Sequence, residues 1–548
     1  MDHLVLYPKN LVPIVGENGA GKSNILRALD LALGPTYPKT KSLSPLDFFR
    51  SEHGENHLSI RVWLRDLDGD DLAYFGRKGV LLPETQAIGV RVDRNWGREE
   101  EDEFGFVDED GEFLRYQSSR GPGNIIRPTN EERERFSFLY VDADRNVRQH
   151  LATNQWSLLG RLLRRVEREL PPERREEFVR RIAELERETL KTGDLIALEE
   201  RLGTLVLEQM NPRPRSLELK VSAYDPWSLY RTLQVFIDDG FYSTATEKGR
   251  GLQSVVILSL FRLYYEVMQG GAEGRPSIIL GVEEPEIFLH PHAERYLYEI
   301  FRGIAEAGGQ VLYTTHSPFL IQIEDYENVV MVRKDAEGRT QSETVSDEDL
   351  EERIAEGRAS EALRLTPRDR LRLEREFDAG RNEVFFGRKV LLVEGPSERL
   401  ALRVVAARPV DGDPVDLDRE GVSIIESGGK KSLPLFVKIL ERMQKPYLVV
   451  FDEDSSDFSG GEKAREAEFN RELIDLAGAA NCIVMEPNLE GELSGALGGE
   501  RYTTLREQLG REFGGVPKAS QAKLVAQRVE PREIPRKFHD AIRLIVAR

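Results

Sequence analysis

The chain has 548 residues, a formal net charge of −19, 32% charged residues and a single cysteine, Cys482. That length exceeds one hydrophobic core and predicts three or four domains, while the acidic balance argues against a non-specific coat for nucleic acid without excluding local basic patches. The lone cysteine excludes a disulfide framework and a cysteine-based zinc site. With no apolar run long enough for a membrane and no signal-peptide pattern, the expected compartment is cytoplasmic.

Residues 11–15 read as an apolar strand that enters Gly16-Glu17-Asn18-Gly19-Ala20-Gly21-Lys22-Ser23, and residues 24–33 continue as an amphipathic helix. G-x-x-x-x-G-K-S between a strand and a helix is the P-loop pattern. Its glycines let successive N–H groups face phosphate oxygens, and the helix N-terminus adds its positive end. Gly16, Asn18, Gly19, Gly21, Lys22, Ser23 and Asn24 form the candidate nucleotide-binding set. Lys22 is expected to reach the β- and γ-phosphates, and Ser23 to ligate Mg²⁺.

Residues 57–66, 89–94 and 112–117 alternate as strands of an antiparallel lobe, with the acidic run 99–103 as a solvated loop. Residues 136–141 read as a buried strand. From 158 to 210 apolar residues recur at helical spacing among Arg and Glu, broken at Pro171-Pro172 and Gly193. The expected structure is two or three helices in a hairpin, inserted as a dimerisation element. Residues 217–237 return to strand patterning.

Residues 247–253 open a helix and look like a degenerate ABC signature motif. Gly249, Gly251 and Gln253 there would form a second phosphate-binding nest. In ABC-type ATPases such a nest contacts nucleotide held by the other protomer, which implies a homodimer when nucleotide is bound. The apolar strand 278–282 ends in Glu283-Glu284, and strand 311–315 ends at His316. Carboxylates at a strand's C-terminal end beside a P-loop suit Mg²⁺ binding and water activation. Glu283 is the expected Mg²⁺ residue, Glu284 the group that polarises the attacking water, and His316 the γ-phosphate sensor. Alternating strands and helices predict a mostly parallel α/β core.

Residues 346–381 read as charged linker or support helices. A second α/β unit follows, with strands at 389–393, 422–426, 447–451 and 482–485. Glu394 and Glu398 follow its first strand, and Asp452 and Asp454 its third. Alternation in an extended strand end puts Asp452 and Asp454 on one side. Acids at neighbouring strand ends make an oxygen-rich pocket for one or two Mg²⁺ or Mn²⁺ ions able to clamp a phosphate. Glu486, Glu490 and Glu492 lie after the fourth strand, where one would complete a second metal site. Lys518 and Lys430 are candidate phosphate contacts.

In this order the P-loop, Glu283-Glu284-Pro285-Glu286 with Leu289-His290-Pro291, Thr315-His316-Ser317, Val393-Glu394-Gly395-x-x-Glu398 and Asp452-x-Asp454 resemble the OLD (overcoming lysogenisation defect) family of ATP-dependent nucleases. The resemblance implies an α/β chain. Its ABC-type P-loop ATPase would occupy 1–157 and 213–386, interrupted by the helical dimerisation element at 158–212, with a C-terminal Toprim nuclease domain at 387–548. It implies two-metal cleavage of DNA in phage defence or DNA repair, with a possible helicase-like partner encoded elsewhere. Glu394, Glu398, Asp452 and Asp454 would ligate metal, Glu490 or Glu492 would complete the set, and Lys518 matches the family's lysine. The P-loop strand starts a few residues into the chain, so the family's usual first strands are expected to be missing or misannotated. The alternative function is an ATP-gated DNA clamp or scaffold whose Toprim unit only binds. A topoisomerase would need a tyrosine nucleophile on further domains.

Overall fold

The computed structural model describes residues 9–48, 56–117, 123–136, 138–143, 151–153, 157–209, 219, 225–269, 279–335, 337–344, 346–376, 380–410, 412–454 and 459–548. Its strands in chain order are β1 (Leu11–Gly16), β2 (His57–Leu64), β3 (Ile88–Asn95), β4 (Glu103–Val107), β5 (Phe138–Val141), β6 (Phe236–Asp238), β7 (Tyr242–Thr244), β8 (Ile279–Glu283), β9 (Gln310–Thr314), β10 (Val330–Lys334), β11 (Thr340–Thr344), β12 (Lys389–Val393), β13 (Val422–Glu426), β14 (Tyr447–Asp452) and β15 (Cys482–Met485).

The first sheet has the order β11-β10-β1-β9-β8-β5. All its pairings are parallel except β10 with the edge strand β11. Apart from the polar edge strand β11, the strands are largely apolar runs, as burial on both faces requires. Val12 and Ile14 face one core with Leu312, Phe138 and Val332, while Leu11 faces the other with Val311, Tyr313 and Val282. The functional strand ends of β1, β8 and β9 lie together at one edge of this sheet.

The antiparallel lobe is β2-β3-β4. Its third strand, β4, begins at the last residue of the acidic run read as a loop, and the expected strand at 112–117 is reduced to isolated bridges of Phe113 and Arg115. Three helices, Leu158–Arg168, Pro172–Leu185 and Gly193–Gln209, follow the breaks at Pro171-Pro172 and Gly193. Of the strand pattern read over 217–237, residues 217, 218 and 220–224 lie outside the described residues. Pro226–Tyr230 is a helix rather than strand, started by Pro226 at its first position.

The second sheet has the order β13-β12-β14-β15 and is wholly parallel. Its pleat separates two cores. Leu391, Val393, Leu448 and Val450 face the helices Pro396–Ala407, Lys518–Arg528 and Arg536–Ala547. Val390, Leu392, Val449 and Phe451 face a cluster that includes Val15, Ile321, Tyr326, Val329 and Met331 of the first unit. The two units therefore share a core. Asn382 Nδ2 donates to the carbonyls of Pro318 and Ile321 at 2.9 and 2.6 Å. The buried Arg442 guanidinium donates to the Leu363 carbonyl, the Tyr326 hydroxyl and Asp347.

Lys445 is 5% exposed and donates to the Val384 and Gly387 carbonyls at 2.7 and 2.8 Å. Burial pushes its pKa well down. Lys445→Met would keep the apolar stem but orphan two carbonyls at the junction. The expected loss is about 3 kcal/mol of stability, measured by chemical denaturation. Among the described residues no helix is long and apolar enough to cross a membrane.

Candidate functional sites: a P-loop and an acidic strand-end cluster

β1 delivers the P-loop and the helix Lys22–Leu33 receives it. Gly16 has φ +153°, and a Cβ there would stand 2.1 Å from the Val332 carbonyl oxygen of β10. Gly21 has φ +109°, and its Cβ would meet Thr340 Oγ1 at 2.6 Å. Only glycine lets the loop pass this close. Buried Lys22 folds back, Nζ donating to the carbonyls of Gly16 and Glu17 at 2.9 Å each. Burial lowers its pKa, against the pull of Glu284, Glu286 and Glu17. Asn18, Gly19 and Asn24 are exposed and Ser23 half-buried, so the loop's outer surface is open to a ligand.

Thr340 on β11 donates through Oγ1 to the Ala20 carbonyl at 2.9 Å. This latch was not read from the sequence, because it joins residues 320 positions apart and β10–β11 were not recognised as strands. Thr340→Val keeps the shape and deletes the bond. The expected cost is about 1 kcal/mol, seen as a melting point lowered by about 2 °C and weaker nucleotide binding by equilibrium titration.

Glu283 ends β8, 3% exposed, and accepts from the Tyr140 hydroxyl at 2.5 Å. Arg27 Nε lies 3.9 Å from the same carboxylate. Glu284 takes a left-handed φ of +40°, unusual for a residue with a Cβ, and its N–H donates to the Thr314 carbonyl and hydroxyl. That kink turns the chain so that the Glu284 carboxylate stands 3.9 Å from His316 Nε2. The His316 N–H donates to Glu286 Oε1 at 2.6 Å. Burial raises the Glu286 pKa, and burial and Lys22 lower that of His316. Tyr140 and Glu286 are thus supporting residues that the sequence reading did not assign. Glu286 was visible only as part of Glu-Glu-Pro-Glu, and Tyr140 only as a residue of a buried strand.

At 247–253 the expected nest is altered. Neither Gly249 nor Gly251 has a left-handed φ, which a nest of successive N–H groups needs. Gln253 Nε2 is spent inside the turn, donating to the Thr246 and Lys248 carbonyls at 3.0 and 2.8 Å. What remains is the N-terminus of the helix Arg250–Gln269, with Gly249 and Arg250 exposed.

In the second unit, Glu394 follows β12 and accepts from the Asp452 N–H at 2.7 Å. This bond ties two adjacent strand ends together. Asp452 Oδ1 accepts from Leu489 N–H at 2.9 Å. Glu398, in the first turn of the helix Pro396–Ala407, accepts from Gly395 N–H at 3.1 Å. Asp454 has φ +53°, and its N–H donates to the Pro487 carbonyl. Burial, then the charges of Glu394, Glu398 and Asp454, push the Asp452 pKa up to about 8. Burial pushes Glu394 up to about 7, against the pull of the Asp452 N–H and Lys430. Glu398 is also raised, by burial and by Glu490.

Lys518 Nζ lies 3.4 Å from Glu490, so both belong to the Glu398 side of the cluster. Glu492 is turned elsewhere. It accepts from the Glu486 N–H at 3.0 Å and pairs with Lys537 at 2.7 Å. Lys430 is 9% exposed, paired with Glu466 at 2.8 Å and donating to the Glu453 carbonyl, which makes it an internal counter-charge rather than the phosphate contact expected. Among the described residues no three acids, imidazoles or thiols converge tightly enough to enclose an ion in this conformation. The donor chemistry nevertheless suits one, since hard carboxylates that raise one another's pKa are what a divalent cation neutralises.

Two family models match. One, described as "AAA domain, putative AbiEii toxin, Type IV TA system", covers residues 11–322, and the other, "Overcoming lysogenization defect protein-like, TOPRIM domain", covers residues 385–454. The chain is 29% identical over 501 residues to the OLD nuclease of Thermus scotoductus, spanning 88% of this chain and 87% of that one. This chain belongs to the OLD family. It carries that family's P-loop ATPase and Toprim units on one α/β chain, and uses nucleotide and divalent metal. The Old nuclease of Escherichia phage P2 is 25% identical over 289 residues, covering 50% of this chain and 46% of its own length. A solved C-terminal region of the Xanthomonas campestris pv. campestris OLD protein is 23% identical, with a TM-score of 0.23, over 30% of this chain and 95% of that one.

Proposed function

We propose that this chain is an ATP-binding and ATP-hydrolysing DNA endonuclease that needs a divalent metal. What carries the reading is the placement of two acidic strand-end sites, one beside a P-loop and one on a Toprim sheet, on units that share a core. Gly16, Asn18, Gly19, Gly21, Lys22, Ser23 and Asn24 would hold the triphosphate, with Mg²⁺ between Ser23 and Glu283. Glu284 would take the proton of the attacking water, with His316 beside it.

In the C-terminal unit Glu394, Glu398, Asp452, Asp454 and Glu490 would hold one or two Mg²⁺ or Mn²⁺ ions. Such ions supply hydroxide at neutral pH and neutralise the scissile phosphate. Lys518 would stand against charge building on that phosphate. Glu492 is left to Lys537. The working boundaries are 1–157 and 213–386 for the ATPase, 158–212 for the helical insert and 387–548 for Toprim.

The helical insert supports a homodimer. Leu185, Ile196, Leu198, Leu202 and Leu205 are each at least 39% exposed, more apolar surface than a solvated hairpin needs. Exposed Gly249 and Arg250 would then face nucleotide on the other protomer. A cytoplasmic role in phage defence is supported by the likeness to a phage nuclease.

Plasmid incubated with the full chain, Mg²⁺ or Mn²⁺, and with or without ATP tests the reading. Nicked or linear product is expected. Plasmid left intact under every condition would overturn it in favour of a DNA-binding scaffold.

A further inference from the structure

The P-loop's outer turn does not face solvent alone. A cavity of about 320 Å³ is lined by Gly16, Glu17, Asn18 and His316 of the first unit and by Phe386 and Arg388 of the segment that opens β12. Across it Arg388 Nε lies 2.6 Å from Glu17 Oε1, and the same guanidinium donates to Glu17 Oε2 at 2.8 Å. The pair is a two-pronged clasp between the P-loop and the Toprim unit.

Two features say that this clasp is not there for stability. Its side chains are 61% and 50% exposed. Exposed ion pairs contribute little, because water and salt screen them. Yet the Arg388 backbone is fixed, its N–H donating to the Gly421 carbonyl at 3.0 Å, where Gly421 precedes β13. A movable guanidinium on a fixed mount, beside Asn18 and His316, is poised to exchange one anion for another. A guanidinium fork matches phosphate oxygens as well as it matches a carboxylate, and a terminal phosphate carries more charge.

We propose that Arg388 is a phosphate-sensing residue that leaves Glu17 for the terminal phosphate of a bound nucleoside triphosphate. The exchange ties occupancy of the P-loop to the start of β12, whose far end carries Glu394. A diphosphate lacks the group and leaves the clasp closed. The proposal rests on the P-loop being the nucleotide site, as argued above.

The test is equilibrium binding of a non-hydrolysable ATP analogue and of ADP to the full chain, in wild type, Arg388→Ala, Arg388→Lys, Glu17→Gln and Lys22→Ala. Arg388→Ala is expected to lose about tenfold in analogue affinity, the effect of one charge-assisted hydrogen bond. Its ADP affinity should be unchanged and its melting point within about 2 °C of wild type. Arg388→Lys should fall between, since it keeps the charge without the fork. Glu17→Gln frees the guanidinium and should bind the analogue at least as well as wild type. Hydrogen exchange supplies the second readout: the analogue should slow exchange at β12 in wild type and not in Arg388→Ala.

Equal losses for both nucleotides in Arg388→Ala, no loss for either, or no change at β12 in wild type would each overturn the sensor. If Lys22→Ala binds both nucleotides like wild type, the P-loop reading fails and takes the sensor with it. If Lys22→Ala loses binding and Arg388→Ala does not, the sensor alone fails.

Discussion

Asp452→Asn should reduce plasmid cleavage by about 10³-fold, a loss typical of removing a group aimed at the reacting phosphate, while DNA binding in a filter assay stays close to wild type. Asp452 is the acid on which the cluster converges. Its N–H fixes Glu394, its Oδ1 is fixed by Leu489, and the charges of Glu394, Glu398 and Asp454 bear on it. Asparagine keeps the size and one oxygen acceptor but removes the charge that a metal requires.

The same substitution should alter stability in the opposite sense. In the metal-free protein Asp452 and Glu394 have pKa values raised to about 8 and about 7, above their ordinary 3.8 and 4.5. The folded state therefore retains protons that the unfolded chain has lost. Their contribution to stability is complete below the ordinary carboxylate range and is lost as pH rises toward 8. Metal-free wild type should melt progressively lower from pH 4 to pH 8, divalent metal should reverse the loss, and Asp452→Asn should flatten the slope. A metal-free melting point that rises across this range would contradict the assignment.

Glu284→Gln should bind ATP with near wild-type affinity and hydrolyse it about 10²- to 10⁴-fold more slowly, the range for loss of a general base. Glu283 and Glu284 are adjacent yet sit in different settings. Glu283 is buried and held by the Tyr140 hydroxyl, with Arg27 near, which suits a fixed ion-holding role. Glu284 is turned out of the strand by its left-handed backbone and stands near His316. Glutamine keeps the shape and removes the basic oxygen. A glutamine variant that turns over at the wild-type rate would move the base elsewhere, with His316 as the next position to change.

What could be read from the sequence depended on how far apart the partners lie. The P-loop and β12 to β15 were legible because each is a short apolar run closed by turn or acidic residues, and the fully buried parallel sheet demands such runs. β10 and β11 were not, since Val330–Lys334 ends in two basic residues and Thr340–Thr344 contains no apolar residue. β4 was hidden behind the acids at 99–103. The candidate acids could be named, but their division of labour could not. Glu490 lies opposite Lys518 and Glu492 opposite Lys537, and those lysines are placed by helices packed far along the chain. The supposed nest at Gly249 and Gly251 failed for a local reason, because small residues permit a left-handed backbone without compelling one.

The core shared by Val15, Tyr326 and Met331 with Val390, Leu392 and Phe451 bears on how such a chain can evolve. A gene fusion usually leaves a seam where recombination can later exchange one half. Here a crossover near residue 386 would strip apolar faces from both products, leave Arg442 without its acceptors and take the Val384 carbonyl from Lys445. The halves must therefore be inherited and diversified as one unit, with new specificities arising in loops remote from the join.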